Sequence, residues 1–421
     1  MGRIVIVGLD GVPYRLMEDL SERGVMPNFQ SLKKEGIFRK MQSTIPEVSS
    51  TAWSSIITGK NPGEHGIFGF MELIEGTYTM SFPDFRNLKA KPFWQMDGKR
   101  SVIMNVPSTY PAGEMNGFIV SGFISLDLEK ATYPKQYVEK LKALDYRIDV
   151  DSHKWYKSQD LFVRELFDTL ERRVDAYRYF WNEFRWDLFM LVFTGTDRLG
   201  HFLWDAYEES DHKYHDKVIE FFGRIDEVIG EIVERLGEGD SLLMLSDHGF
   251  ERVKTNVNVN TLLMENGFLE LEEAQEKNYT NIKEGTKAFA LEPARIYLNK
   301  KGKYPRGSVE KEDEESILQE LSELFRALEK DDKKVVKKVY RKDEIYSGEY
   351  LEKAPDLVLL GEPGFNLRAG LDKDTLFEQD HFKGKHTQDD AFLFVKAHNA
   401  EEAVPEEPSV TDVVGILRRM R

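Results

Sequence analysis

The sequence of 421 residues predicts an α/β protein: a doubly wound, mainly parallel sheet with helices on both faces, plus a smaller insertion. Three observations support this prediction. Short, continuously apolar runs alternate with longer segments of helical periodicity. The connections between successive strands are long enough for parallel crossovers. Capping residues and glycines delimit several of the helical segments.

The first elements set the pattern for the rest of the chain. Residues 3–9 form an apolar run typical of a buried strand, which delivers Asp10 at its carboxyl end with Gly11 as the turn. A helix over residues 14–23 follows and is closed by Gly24. The other predicted elements are strands at 37–41, 101–105, 117–120, 187–193, 242–245, 356–360 and 391–395, and helices at 27–36, 52–58, 161–184, 215–236 and 315–329.

Composition divides the chain into three parts. Residues 1–254 are predicted to form the first part of the core, and residues 356–421 its C-terminal part. Residues 255–355 are predicted to be an insertion or lid, because residues 270–287 are polar and acidic and residues 302–332 are dense in charge. In this scheme the strand at 356–360 returns the chain to the core.

The residue content excludes several classes of protein. There is no cysteine, which excludes disulfides, thiolate metal ligands and a cysteine nucleophile. The N-terminal apolar run is too short for a signal sequence, and no stretch reaches the roughly 18 apolar residues that span a bilayer. We therefore expect a soluble, cytoplasmic protein without a membrane partner.

The net charge of −16 argues against a nucleic-acid polymer as partner, since phosphate backbones bind basic surfaces. It remains compatible with a small phosphate ester, because bound divalent cations make a pocket locally positive whatever the global charge. The sequence predicts no particular oligomeric state.

Two pairs of Asp and His residues have the spacing of metal ligands. Asp197 and His201 lie one helical turn apart on the same face, so both can reach one cation. Asp247 and His248 directly follow the apolar run 242–245, at the strand end where open α/β sheets bind ligands. Together the pairs predict a metal centre, and a two-metal one.

Five features occur in a fixed order along the chain. They are Asp10 after a strand, a Ser/Thr-capped helix ending in Thr58-Gly59 and followed by Pro62 and His65-Gly66-Ile67, Asp197 with His201, Asp247-His248-Gly249, and His386. With this order the chain resembles the alkaline phosphatase superfamily, in its type I phosphodiesterase/nucleotide pyrophosphatase branch. The segments GTDRLGHFLW (195–204), NVPSTYP (105–111) and VSGF (120–123) are similar to the branch's predicted phosphohydrolase/phosphomutase group.

The resemblance covers nearly the whole chain, is weakest across about 270–350, and implies an alkaline phosphatase-like fold and two metal sites. One metal would be held by Asp197, His201 and His386, the last of which lies in the C-terminal part of the core. The other would be held by Asp10, Asp247 and His248, with the nucleophile oxygen bridging or capping it. A shell of Asp, His and hydroxyl ligands without sulfur suits Zn²⁺ or Mn²⁺ and fits Ca²⁺ poorly.

The nucleophile of the family is a Thr or Ser ten residues before the glycine that closes the helix, which here is Ser49. Ser50 and Thr51 remain alternatives. A serine hydroxyl is a poor nucleophile at neutral pH, but an adjacent cation and a helix N-terminus favour its alkoxide. The predicted function is therefore metal-dependent hydrolysis of a phosphate ester through a covalent phosphoseryl intermediate, with two divalent metals roughly 4 Å apart.

One position departs from the branch. An Asn about 21 residues after the nucleophile helps to hold the phosphoryl oxygens there, whereas Phe70 occupies that position in this sequence. Another donor is needed, and the candidate substrate-binding residues are Asn105, Arg198, Lys383 and Lys385. We expect some smaller phosphate ester to be turned over faster than nucleotide diesters.

Two alternatives remain open at this point. A phosphomutase would use the same intermediate and return the phosphoryl group to a second hydroxyl of the substrate. The interval of about 150 residues between Ser49 and Asp197 does not suggest the large extra domain of the cofactor-independent phosphoglycerate mutase. The other alternative is a non-catalytic metal-binding protein. The sequence does not distinguish monoester, diester, phosphonate and sulfate ester substrates.

Overall fold

The computed structural model describes residues 2–96, 98–125, 127–274, 276–379 and 381–420. The chain forms two compact units. The first unit comprises Met1–Lys60, Asp84–Glu251 and Lys383–Arg421, and the second comprises Asn61–Pro83 and Arg252–Phe382.

An eight-stranded sheet forms the centre of the first unit. Its strands lie in the order Ile37–Met41, Ala391–Lys396, Ser241–Leu245, Ile4–Leu9, Leu188–Phe193, Ser101–Met104, Gly117–Val120 and Thr132–Tyr133. The five strands from Ser241–Leu245 to Gly117–Val120 are parallel, and the other three strands pair antiparallel with their neighbours. This arrangement confirms the predicted mainly parallel α/β fold.

Helices cover both faces of this sheet. Ile4 and Ile6 pack in one apolar cluster with Trp53 of the Ser49–Thr58 helix. Phe189, which is in register with Val5 on the opposite face, has its ring centroid 5.1 Å from that of Trp181 in the Gln159–Glu183 helix. The α-helices of the unit are Tyr14–Glu22, Pro27–Leu32, Ser49–Thr58, Leu128–Ala131, Val138–Ala143, His153–Lys157, Gln159–Glu183, Gly195–Glu208, His215–Glu234, Ala400–Ala403 and Val413–Arg419.

The central strands read as continuous apolar runs because both of their faces are covered. Every residue of Ile4–Leu9, Leu188–Phe193 and Ser241–Leu245 is buried. These three parallel strands are neighbours, with Ile4–Leu9 in the middle. The polar residues that follow them are therefore brought together at one edge of the sheet. Within the described residues, no helix has the length and apolar character needed to cross a bilayer.

The second unit contains smaller sheets. The largest has the antiparallel order Ala288–Leu291, Arg295–Leu298, Leu357–Gly361 and Val336–Arg341. A three-stranded sheet has the order Phe365–Arg368, Thr255–Asn258 and Phe377–Glu378, and two hairpins pair Glu72–Leu73 with Met80–Ser81 and Glu329–Lys330 with Lys333–Lys334. Its α-helices are Pro62–His65, Val259–Glu265, Glu314–Ala327 and Lys342–Ile345.

The second unit is larger than the segment 255–355 delimited by composition. The strand expected to rejoin the core at 356–360 is Leu357–Gly361, which pairs with strands of the second unit and not with the central sheet. Leu357 and Leu359 are buried there in one cluster with Ile296. An apolar run shows that a strand is buried but not which sheet buries it, so the boundary placed at residue 355 falls at 382 instead.

His65, in the second unit, is a buried imidazole whose Nδ1 accepts a hydrogen bond from the Ile67 amide at 3.2 Å. Burial lowers the pKa of His65 to about 3. The unfolded chain takes up this proton near pH 6.5. The neutral side chain therefore contributes its full stability above pH 6.5, and the contribution is lost as the pH falls from 6.5 towards 3.

His65→Asn should weaken the acid sensitivity of the fold. Between pH 7.5 and pH 5, protonation of His65 should cost the wild type about 2 kcal/mol of unfolding free energy that the variant does not lose. Urea denaturation at the two pH values measures the difference. The control is His153→Asn at an exposed position, which should follow the wild type. An equal loss in His65→Asn and wild type would contradict this assignment.

Candidate metal centre

Three carboxylates meet at the carboxyl edge of the central sheet. Asp10 directly follows Ile4–Leu9 and Asp247 lies just beyond Ser241–Leu245. Asp197 lies in the first turn of the Gly195–Glu208 helix, shortly after the strand Leu188–Phe193. Asp10 is 3% exposed, Asp197 6% and Asp247 0%. Since burying an ionised carboxylate without a counter-charge costs free energy, the cluster requires positive charge nearby.

Three imidazoles complete the cluster. His201 lies one turn after Asp197 on the same helix, and His248 follows Asp247. His386 lies in the short strand Gly384–Thr387, with its Nε2 3.1 Å from His201 Nε2 and 3.2 Å from Asp197 Oδ1. The rings of His248 and His386 stack with centroids 3.6 Å apart. The side chains predicted as metal ligands thus lie together in the first unit.

Each imidazole is oriented by a backbone carbonyl at its Nδ1 atom. The three Nδ1–oxygen pairs are His201 with Gly384 at 3.3 Å, His248 with Gly249 at 3.0 Å and His386 with Glu47 at 2.8 Å. A carbonyl oxygen only accepts hydrogen bonds, so Nδ1 carries the hydrogen in each neutral ring. Nε2 then presents a lone pair towards the carboxylates, which is the tautomer and orientation of a metal-ligating histidine.

Two carboxylate oxygens provide an independent test of the fit to a cation. Asp10 Oδ2 accepts a hydrogen bond from Trp53 Nε1 at 3.0 Å, and Asp247 Oδ1 accepts one from the Gly11 amide at 3.0 Å. The second oxygens, Asp10 Oδ1 and Asp247 Oδ2, are fully buried and have no hydrogen-bond donor among the described residues. Buried acceptors without donors fit coordination to a divalent cation by oxygen and nitrogen ligands.

The carboxylates lie in an environment that disfavours their ionised forms. Burial, together with the charges of Asp247 and Asp197, raises the pKa of Asp10 well above its usual range. Burial likewise raises the pKa of Asp247 to about 7. Burial also opposes ionisation of Asp197, but His201, His386 and Arg198 outweigh it and lower the pKa of that carboxyl. The ionised form is therefore disfavoured at Asp10 and Asp247 and favoured at Asp197.

The pKa values of the three imidazoles are also shifted: two are lowered and one is raised. Burial lowers the pKa of His201 to about 4 and holds the pKa of His248 well below its usual value. Both rings are therefore neutral at physiological pH, as metal ligands must be. The pKa of His386 is raised although burial opposes it, because in the protonated ring Nε2 can donate a hydrogen bond to Asp197. Positive charge is stabilised at this point of the cluster.

Asp197 connects two groups of potential ligands. One ligand atom each from Asp197, His201 and His386 lies within 4.8 Å of the others, and the same is true of Asp10, Asp197 and His248. Asp197 therefore belongs to both groups, whereas the resemblance allocates it to one. Asp247 lies beside the second group, with its Oδ2 3.3 Å from His248 Nε2.

Of the three candidate nucleophiles, Ser49 contacts this cluster. Ser49 is the first residue of the Ser49–Thr58 helix, and its Oγ lies 3.1 Å from His248 Nε2. The hydroxyl oxygens of Ser50 and Thr51 are buried without a hydrogen-bond partner among the described residues. The Thr51 amide donates to the Val48 carbonyl at 3.0 Å, but the Ser49 and Ser50 amides have no acceptor among the described residues. Ser49 Oγ therefore lies beside donors suited to an anion.

The two candidate lysines for substrate binding are paired with carboxylates. Lys383 Nζ lies 3.7 Å from Asp205 Oδ2, and its side chain is 42% exposed. Lys385 Nζ lies 2.9 Å from Glu251 Oε1 and is largely buried. The positive charge of each lysine is therefore already paired with a carboxylate of the protein.

Asn105 and Arg198 occupy different positions from the lysines and from each other. Asn105 is fully buried, accepts a hydrogen bond from Tyr146 at 3.0 Å and donates one to Thr194 at 3.3 Å. Its side-chain amide is therefore bonded to other buried side chains of the protein and holds them in place. Arg198 lies beside the cluster, with its Nη1 3.3 Å from Asp197 Oδ2. Phe70, at the position of the family's Asn, belongs to the second unit.

Sequence reasoning missed three residues that support the ligands. Trp53 fixes one oxygen of Asp10, and it lies one helical turn after Ser49, a spacing that could have identified it. Thr196 Oγ1 donates to the Asp10 carbonyl at 2.6 Å. Phe250 is fully buried, with its ring centroid 4.9 Å from that of His201 and 5.0 Å from that of His386.

Glycines allow Phe250 to pack this closely. A Cβ at Gly200, on the turn of helix between Asp197 and His201, would meet Phe250 ring atoms at 3.0 Å. Gly11, with φ of 69°, would place its Cβ 2.7 Å from the same ring. The ligand histidines are thus held against an aromatic ring that has no room to shift.

Gly200→Ala should destabilise the protein by about 1–3 kcal/mol, because overpacking against Phe250 outweighs the gain in helix propensity. The matched control is Gly223→Ala, since a Cβ at that helical glycine meets only the Val25 carbonyl oxygen, at an ordinary 3.8 Å. The control should be neutral or stabilised by up to about 1 kcal/mol. Urea denaturation of both variants measures the difference, and equal changes would contradict the packing argument.

The sequence profile described as type I phosphodiesterase/nucleotide pyrophosphatase matches residues 4–389. No curated protein matches the sequence.

Solved structures show the same fold. Phosphonoacetate hydrolase from Sinorhizobium meliloti, in complex with phosphonoformate, is similar with a TM-score of 0.65 and 17% identity over 100% of this chain and 96% of that chain. Murine ectonucleotide pyrophosphatase/phosphodiesterase 5 is similar with a TM-score of 0.58 and 14% identity over 99% of this chain and 94% of that chain. Because the profile spans almost the whole sequence, the chain belongs to the type I phosphodiesterase/nucleotide pyrophosphatase family.

Proposed function

We propose that this protein is a metal-dependent hydrolase of small phosphate esters that acts through a covalent phosphoseryl intermediate on Ser49. Family membership supports a phosphoester hydrolase. One observation carries the finer assignment: Ser49 Oγ lies at a helix N-terminus, 3.1 Å from His248 Nε2, within a buried cluster of Asp and His side chains. This arrangement combines a nucleophile with the ligands that would activate it.

The proposed reaction has two displacements. Ser49 Oγ gives its proton to solvent and attacks phosphorus, the bond from phosphorus to the leaving oxygen breaks, and the released alkoxide takes up a proton from solvent. Water then gives a proton to solvent and attacks phosphorus, the bond from Ser49 Oγ to phosphorus breaks, and Ser49 Oγ takes up a proton while the phosphoryl group leaves with the water oxygen. The open amides of Ser49 and Ser50, at the start of the Ser49–Thr58 helix, are placed to donate to phosphoryl oxygens in both steps.

We propose two divalent cations, zinc or manganese, as cofactors. Asp197, His201 and His386 would hold one, and Asp10, Asp247, His248 and the Ser49 oxygen would hold the other. The donor set of carboxylates and imidazoles without sulfur supports this choice. When bound, such cations favour the serine alkoxide and polarise the phosphoryl group.

The ligands of the structural neighbours support a proposal for the substrate class. Structural neighbours are solved in complex with phosphonoformate, with phosphonoacetate and, for an inactive ectonucleotide pyrophosphatase/phosphodiesterase 5, with AMP. These ligands are small phosphorus-containing anions. A small phosphate ester is the substrate that we propose for this chain.

Elemental analysis of the purified protein should find two divalent ions per chain, and their removal should abolish turnover. Asp247→Ala and His201→Ala should each lose at least one ion without unfolding, because each removes a ligand atom from the cluster. His153→Ala, at an exposed position, is the control and should retain both ions. One ion or none in fully active protein would refute the two-metal assignment.

Ser49→Ala should reduce turnover of a chromogenic phosphate ester by several orders of magnitude, since only positioning and electrostatics remain. Ser50→Ala and Thr51→Ala are matched controls one and two residues along the same turn, and their effects should be much smaller. Acid quenching should trap a phosphorylated peptide that contains residue 49 in wild type and in both controls. A phosphopeptide that persists in Ser49→Ala would assign the nucleophile elsewhere.

The same trapping experiment separates the alternatives. Release of inorganic phosphate or of a phosphate monoester supports the hydrolase. An isomerised product that retains the phosphoryl group would identify a phosphomutase. Metal binding without a trapped phosphopeptide or any turnover would identify a non-catalytic protein.

A further inference from the structure

The guanidinium of Arg198 is held on two sides beside the candidate metal centre. Its Nε and Nη2 atoms donate to Asp149 Oδ2 at 3.0 and 2.6 Å. Its Nη1 donates to Asp197 Oδ2 at 3.3 Å, and its Cζ lies 4.3 Å from the ring centroid of Phe123. A guanidinium fixed by an ion pair and an aromatic face loses little further freedom when it binds an anion.

Asp149 is itself fixed by the two strand ends behind it. Thr194, which directly follows Leu188–Phe193, donates from Oγ1 to Asp149 Oδ1 at 3.3 Å. The Thr194 oxygen accepts from Arg173 Nη1 at 3.2 Å and from Asn105 Nδ2 at 3.3 Å. The hydroxyl is thereby saturated, with one hydrogen donated and two accepted.

Arg173 anchors the same loop from inside the protein. It is 1% exposed, and its Nη2 donates to the Ile148 carbonyl at 2.8 Å and to the Arg147 carbonyl at 3.2 Å. These carbonyls immediately precede Asp149. Because the buried Arg173 guanidinium binds two backbone carbonyls of this short loop, it holds the loop, and with it Asp149, in one position.

The bonding of Arg198 leaves donors for a ligand. A guanidinium has five N–H groups, and three of them point to Asp149 and Asp197. One N–H on Nη1 and one on Nη2 have no acceptor among the described residues. The pair presents a planar, charged fork of the kind that binds two oxygens of a phosphoryl group.

Building on the proposed function, we infer that Arg198 binds nonbridging phosphoryl oxygens of the substrate and that Asp149 is the positioning residue that aims its guanidinium. Arg198 would then bind the phosphoryl oxygens in place of the family's Asn, whose position is occupied by Phe70 in this sequence. Charge-assisted donors favour a dianionic monoester over a monoanionic diester, because the monoester brings one more anionic oxygen to the same fork.

A competing role for Arg198 is to neutralise Asp197 alone. In that case its loss would weaken metal binding and would change phosphate affinity only through the missing ions. Counting bound ions in every variant separates the two roles, because phosphate affinity and metal content are measured independently on the same sample.

Calorimetric titration of inorganic phosphate into metal-saturated protein is the direct test. Arg198→Gln should weaken phosphate binding by about 100-fold or more with ion content unchanged. Arg198→Lys should recover only part of the loss, since an ammonium lacks the fork. Asp149→Asn, which touches no candidate metal ligand, should weaken binding by about 10- to 100-fold. The control pair is Arg224→Gln and Glu171→Gln, a similar ion pair between two helices, which should bind phosphate like the wild type.

Kinetics supply the second readout. In Arg198→Gln, kcat/KM for a chromogenic phosphate monoester should fall by at least tenfold more than for the matching diester. The double variant with Asp149→Asn should be no worse than Arg198→Gln alone, because Asp149 acts through Arg198.

Two results would overturn the inference: phosphate affinity equal to wild type in Arg198→Gln, or an affinity loss that follows loss of ions. Either result would leave the proposed hydrolase intact if esters are still cleaved. Conversely, a wild-type protein that binds phosphate through Arg198 but cleaves no ester would refute the proposed function and keep the phosphoryl site.

Discussion

Mutual repulsion among three buried carboxylates is the constraint on which the candidate site depends. Asp10, Asp197 and Asp247 can be held close together only because the strands before them are neighbours in one parallel sheet. In that sheet Leu9 is opposite Phe193 and Gly8 is opposite Leu245. A slip of one residue would turn the side chains to the other face, so the apolar register that buries the core also fixes the acidic cluster.

Much of this arrangement could be predicted from the sequence because it depends on local patterns. Apolar runs followed by Asp10 and Asp247 place both residues at strand ends, and the spacing of Asp197 and His201 places them on one helical face. His386 came from the family order alone, since its strand Gly384–Thr387 has no apolar signal of its own.

The parts that sequence reasoning missed depend on contacts between distant segments. The apolar run at 356–360 predicts a strand, but its partners are chosen by the side chains that bury Leu357 and Leu359. Asp149 lies in a loop without any motif, and its role depends on a hydrogen bond at 3.3 Å from Thr194, which lies 45 positions later in the sequence. Neither periodicity nor spacing carries that information, because it arises only when the strands are assembled.

The charge balance of the site explains how a protein of net charge −16 could act on an anion. Arg198 and Asp149 form an ion pair and cancel each other, so Arg198 cannot be the counter-charge of the whole cluster. Asp10, Asp197 and Asp247 then carry three negative charges when ionised, and the two divalent cations of the proposed loaded state carry four positive ones. While Ser49 keeps its proton, the loaded site has one positive charge in excess, and it retains the open donors of Arg198. Since the protein as a whole is negatively charged, affinity for a phosphate ester must arise within this buried site at short range, where water screens the charges least.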